Sequence, residues 1–110
     1  MTTPFTDVVT VIMTAPDSET AEALGRTLVT ERLAACANVV PGIVSMYWWD
    51  DEVQRDNEAM VILKTVRQKA QALEARAVEL HPYDVPEVLV LPVTGGHAPY
   101  LAWVGDEVGV

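Results

Sequence analysis

The sequence predicts an α+β fold of split βαβ topology, in which two helices pack on one face of a four-stranded sheet. Two observations carry that expectation. Segments with strand-like and helix-like periodicity follow one another as strand, helix, strand, strand, helix, strand, with one short helical stretch at the end. The stretch from Glu31 to Asp50, ERLAACANVVPGIVSMYWWD, then holds a strand that is apolar on both faces: Ile43, Ser45, Tyr47 and Trp49 alternate with Val44, Met46 and Trp48. Such a strand needs cover on each side. A chain of this length can cover only one side with its own helices, so the other is expected to meet a second subunit.

With 110 residues, half of them hydrophobic, the chain reads as a single domain spanning 1–110 with one core. Seven Lys+Arg against 16 Asp+Glu give a net charge of -9, and no basic cluster falls on any predicted element. Nucleic acid is disfavoured as a partner because its phosphates need cations to neutralise them. No apolar segment reaches the roughly 20 residues needed to span a bilayer. The single cysteine excludes an internal disulfide, and no signal-peptide pattern is present, so the expected location is cytoplasmic.

Taken in order, Met1 to Thr6 is a polar start expected to fray. Val8 to Met13, VVTVIM, is a β-branched run that predicts a central strand. Ala15-Pro16 stops it, and Asp17 caps a helix whose buried stripe is Ala21, Leu24 and Leu28, with Leu33 joining as the helix runs out through Arg32 into Cys36. Gly25 inside that helix signals a close packing contact. The next strand, Val39 to Trp49, carries Pro41-Gly42, which implies a bulge or bend. An acidic turn, Asp50-Asp51-Glu52, leads to a returning strand, Val53 to Thr65, with Lys64 as a buried-looking cation near its end. Val66 to Leu80 is the second helix, its apolar stripe Ala70, Leu73, Ala77 and Leu80, stopped by His81-Pro82. Val88 to Val93 is the last strand, Gly95-Gly96 opens a loop, and Ala98 to Val108 predicts a short docking helix with Tyr100, Val104 and Val108 at helical spacing and Leu101 beside them. This is the ferredoxin-like order, and the sheet face without helices is left as a protein interface that a closed ring of a few subunits would cover.

Residues with chemical potential are few. Cys36, between small apolar residues, reads as a packing thiol, and neither His81 nor His97 is spaced to activate it. There is no CxxC, HxxxH or HExxH, so a metal site inside one chain is poorly supported; the soft donors Met13, Cys36 and His81 would suit copper(I). The segment from His81 to Glu87, HPYDVPE, is locked by two prolines and pre-sets His81, Tyr83 and Glu87. It reads either as a binding loop or as a rigid connector. Arg32 and Lys64 add cations at element ends, which makes an anion-binding cleft conceivable.

The blocks TAPD at Thr14–Asp17, ERLAACANVVPG at Glu31–Gly42, SMYWWD at Ser45–Asp50, ILKT at Ile62–Thr65, HPYDVPEV at His81–Val88 and YLAWV at Tyr100–Val104 together resemble the CutA divalent-cation tolerance family, in order and over nearly the whole chain. The resemblance implies a ferredoxin-like subunit in a tight homotrimer, similar in architecture to the PII signalling proteins, with strands pairing across subunits. It also implies tolerance of divalent cations, copper especially, and no enzymatic activity. The family's copper-binding pattern has a cysteine where this chain has Met13 and a histidine where it has Leu80, while His81 is retained. The metal ligands expected are therefore His81, Met13 and Glu87, holding copper or another divalent cation weakly. At the hairpin tip, Asp51 stands where many relatives have glycine. The ligand cleft expected, for a metal ion or a small anion, is Tyr47, Trp49, Lys64, Tyr83 and Arg32. A trimeric scaffold without metal is the competing reading, and an acylphosphatase-like hydrolase is disfavoured because Arg26 and Arg32 lie on a helix instead of in a glycine-rich anion loop.

Overall fold

The computed structural model of the chain describes residues 6–109. The elements run β1 (Val8–Ala15), α1 (Ser18–Thr30), β2 (Cys36–Trp49), β3 (Glu52–Val66), α2 (Arg67–Leu80), β4 (Val88–Pro92) and α3 (Ala98–Glu107). The strands form one sheet ordered β2-β3-β1-β4, every pair antiparallel. β1 is central, as its two apolar faces require. The expected fraying start lies outside the described residues except for Thr6, which is held: its N–H and its Oγ1 both donate to Val93 O, at 3.0 and 2.8 Å.

α1 starts where Asp17 Oδ1 accepts from Thr20 N–H at 2.7 Å, a bond that holds the carboxyl below its ordinary pKa. Ala21, Leu24, Gly25 and Leu28 are its buried residues. Gly25 serves close approach: a Cβ there would lie 3.1 Å from Ala37 Cβ on β2. The helix stops at Thr30 and does not run on to Cys36. Arg32 turns into the left-handed region at φ 61°, and the N–H groups of Leu33 and Ala34 return to Leu28 O at 3.0 and 3.3 Å, closing the C-terminus. β2 therefore begins at Cys36, three residues ahead of the expected Val39.

The helices α1 and α2 cover the face carrying Val11, Met13, Val61 and Leu63, where Leu24, Leu28, Leu73 and Ala77 complete the main core. The opposite face is treated differently along its length. At one end α3 docks on it, burying Val104 and Val108 against Val8 and Val66, which oppose each other across β1 and β3. The rest of that face, with Ile12, Ile62, Leu89 and Leu91 in register, has no helix of this chain over it, and Leu89 and Leu91 are exposed. α2 begins one residue later than expected because Val66 stays in the sheet, paired with Val8.

Pairing between β2 and β3 shifts between Val40 and Ile43: Val40 faces Met60 and Ile43 faces Glu58, so β2 carries one extra residue, and Gly42 takes φ 69° within the bulge. Beyond Ala15, which faces Ala59, β1 ends and β2 and β3 continue alone as a two-stranded arm. The arm gives the molecule its 48 Å length against 29 and 22 Å in the other directions. Its side chains stand in solvent on both faces, with Trp48 74% and Met46 71% exposed. At the tip Asp50 and Asp51 take φ 56° and 60°, the paired left-handed residues of a two-residue hairpin turn.

Two substitutions test these backbone readings at fixed protomer concentration. Asp51→Gly removes the steric cost of a left-handed side chain and is expected to stabilise by about 0.5–1 kcal/mol in urea unfolding. Gly25→Val forces α1 away from Ala37 and is expected to cost about 1–3 kcal/mol, read as a lower Tm.

Candidate functional site

Where β1 ends and the arm begins, the connection from α2 to β4 folds over the step. Glu58 sits at the root of the arm, only 9% exposed, and its Oε2 accepts from Tyr83 Oη at 2.7 Å. Two residues along the same strand face, Asp56 Oδ2 accepts from the Tyr47 hydroxyl. These pairs flank a cavity of about 600 Å³ lined by Ser45, Tyr47, Trp49, Glu58, Tyr83 and Glu87, with Val44, Met46, Val85 and, at the end of β1, Thr14 completing the lining. No Lys, Arg or His lines it among the described residues.

The electrostatics follow from the geometry. Burial, then the bond to Glu58 and its charge, push the Tyr83 hydroxyl well above the ordinary tyrosine value, and the bond to Asp56 does the same for Tyr47. Both phenols thus stay protonated donors that orient the carboxylates. His81 lies beneath Tyr83, with ring centroids 4.7 Å apart, and is 7% exposed. Its Nε2 donates to Thr14 O at 2.7 Å, and its Nδ1 accepts from Tyr83 N–H at 3.1 Å. That pair of bonds selects the Nε2–H tautomer and uses both ring nitrogens, so a metal on His81 would displace one of them. The prolines at positions 82 and 86 hold this connection while His81 pins it to the last turn of β1.

Of the residues singled out from sequence, Tyr47, Trp49, Tyr83 and Glu87 lie around this one cavity, and His81 supports its floor. The two cations lie elsewhere. Lys64 donates to Asn38 Oδ1 in the middle of the sheet, and Arg32, at the end of α1, donates to the carbonyl and carboxylate of Glu107 at 2.8 Å each. Met13 is fully buried under the helices, on the sheet face opposite to Cys36. Cys36 is half-buried instead of sealed, with Sγ 3.5 Å from Tyr100 Oη. The soft donors are thus dispersed, and among the described residues no three of His, Cys, Asp and Glu are grouped to hold a metal ion. Glu58 and Asp56 escaped sequence reading; the available signal was two carboxylates at strand spacing, paired across the ladder with Ile43 and Ser45 and sharing their face.

The fold and site define an α+β protein of ferredoxin-like topology with a projecting arm and an aromatic, acidic cleft at its root. A family profile described as CutA1 divalent ion tolerance protein matches residues 9–107. The chain belongs to that family. It is 42% identical over 99 residues to the divalent-cation tolerance protein CutA of Thermus thermophilus, covering 90% of this chain and 96% of that protein. It is 44% identical over 99 residues to Protein CutA 1, chloroplastic, of Oryza sativa, covering 90% of this chain but 56% of the rice protein. The chain thus spans little more than half of that plant relative. The crystal structure of CutA from Xylella fastidiosa superposes with a TM-score of 0.91 at 38% identity, covering 94% of this chain and 99% of that one. No helix among the described residues is long and apolar enough to cross a membrane.

All three tyrosines are raised: Tyr83 and Tyr47 as above, and Tyr100 to about 12 by its contact with the Cys36 thiol and by burial. The unfolded chain releases these protons near pH 10, before the folded one does, so the tyrosine contribution to stability is expected to be level up to about pH 10 and to fall above it. Ultraviolet titration should show tyrosinate only above pH 10, rising together with unfolding; three tyrosines titrating at 10 in the folded protein would contradict these contacts.

Proposed function

We propose that this chain is a non-enzymatic divalent-cation response protein that works as a homotrimer and binds a cation in the cleft at the root of each arm. The observation that carries the reading is the arm itself. An isolated two-stranded ribbon is marginal in water, yet one face of this one exposes Val44, Met46, Trp48 and Val53. Together with the uncovered Leu89 and Leu91, these form apolar surface of a kind that subunit contacts bury. Closure by three copies is what the family resemblance implies. The lone thiol of Cys36 fits a reducing compartment such as the cytoplasm.

Cation binding at the cleft is supported by its lining, which has carboxylates and no basic side chain. A small anion would meet Glu58 and Glu87 without a counter-charge, because Lys64 and Arg32 are engaged elsewhere. A second reading, a trimeric scaffold without metal, draws its support from the dispersal of Met13, Cys36 and His81 and from the use of both His81 nitrogens.

Native mass spectrometry separates these outcomes. The protein is expected at three times its 12.0 kDa protomer mass, and Met46→Asp combined with Trp48→Asp is expected to shift it toward monomer. A monomeric mass for the unsubstituted protein would overturn the assembly. Copper or manganese adding in steps of one per protomer, reduced by Glu58→Gln, would support the cleft as the metal site, and a trimer that takes up no cation of any kind would favour the scaffold.

A further inference from the structure

We propose that the ligand of this cleft is the ammonium head of a small alkylamine, recognised by Glu58 and Glu87 and by the faces of Tyr47, Trp49 and Tyr83. The inference rests on the cleft being a cation site and names the chemical class of the cation.

Glu58 is the first argument. Its Oε2 is taken by Tyr83, and Oε1 has no hydrogen-bond partner among the described residues. No side-chain oxygen sealed from solvent is left unpaired among those residues, so Oε1 of this nine-tenths buried residue opens toward the cavity that Glu58 lines. A carboxylate oxygen held in place, mostly desolvated and still free to accept, is matched by a donor that carries positive charge. Tyr83 keeps the group aimed. A ligand ammonium can donate to Oε1 without breaking that bond.

The remaining lining distinguishes an organic cation from a metal ion. A bare divalent ion wants several oxygen, nitrogen or sulfur donors around one point, whereas here only two acidic side chains line the cavity and no group of three metal-ligating residues forms among the described residues. Aromatic rings do not coordinate such an ion, but they attract an ammonium through the ring quadrupole, and three aromatic residues line this cavity. A volume of about 600 Å³ lies within the range of small-molecule sites and far exceeds the needs of an ion. Val85 supplies apolar wall for an alkyl chain behind the charged head.

The test is calorimetric titration of the intact oligomer with four probes: n-hexylammonium, n-hexanol, n-hexanoate and manganese(II). Saturable binding of n-hexylammonium is expected, with hexanol at least about tenfold weaker and hexanoate undetected, since only the ammonium makes the charged hydrogen bonds. Glu58→Gln keeps an acceptor for Tyr83 while removing the charge, and is expected to weaken n-hexylammonium by about tenfold or more. Glu87→Gln, at an exposed position that leaves the fold undisturbed, should weaken it in the same direction. Equal binding of hexanol and n-hexylammonium would reduce the site to an apolar groove and overturn the proposal. Manganese binding that depends on Glu58, with no response to n-hexylammonium, would overturn the amine and leave the cation cleft standing. Silence from all four probes would remove both.

Discussion

The sheet is built from strands of unequal length, and the rest of the structure depends on that step. β2 and β3 have 14 and 15 residues, whereas β1 has 8 and β4 has 5. Past the Ala15–Ala59 pair, the long hairpin loses both its neighbour in the sheet and the helices above it. Two consequences meet there. The arm keeps its ladder but has nothing to bury its side chains against, and the end of β1 leaves a corner that the α2–β4 connection closes only partly. The exposed apolar surface and the cleft are therefore products of one geometric fact.

Charge is handled differently at the two ends of the molecule. At the α3 end, Arg32–Glu107 and Arg67–Asp7 are solvent-exposed ion pairs, and pairs of that kind add little stability by themselves. The Arg32 guanidinium matters more through its bond to the Glu107 carbonyl, which ties the left-handed residue ending α1 to the helix docked on the second sheet face. At the cleft the order reverses. Few groups are present, but Glu58 is nearly out of water, so its bond to Tyr83 belongs to the stronger, charge-assisted kind. His81 contributes as a strut, with one ring nitrogen on β1 and the other on the chain that carries Tyr83.

The fold was legible because its signals are local. VVTVIM declared a buried central strand, Pro41-Gly42 a bulge, Ala21, Leu24 and Leu28 a helical stripe, and His81-Pro82 a stop. Boundaries failed where a tertiary contact overrode the pattern. Arg32 looks helical in sequence, but the chain must reverse there to enter β2, and Glu107, 75 positions away, holds the reversal. Val66 looks like the first residue of a helix, but its pairing with Val8 keeps it in the sheet. The candidate site was half legible. Tyr47, Trp49, Tyr83 and Glu87 stood out as polar or aromatic residues in short, unusual blocks. Glu58 and Asp56 did not, since a carboxylate on a strand is unremarked until a tyrosine from another element is placed against it.

By itself the sequence determined the order of the elements, the apolar character of both sheet faces and the acidic balance, because periodicity, proline and glycine act within a few residues of where they stand. Only the tertiary structure decided which side chains share a site. Met13, Cys36 and His81 are compatible as donors on paper, yet strand alternation sends Met13 and Cys36 to opposite faces of the sheet, and hydrogen bonds occupy both nitrogens of His81. Lys64 shares a sheet face with Glu58 but stands six residues farther along β3, and Arg32 lies beyond the end of α1, so both are apart from the aromatic residues. Register and crossover set positions across the sheet, and a distance between residues tens of positions apart exists only once the chain has closed on itself.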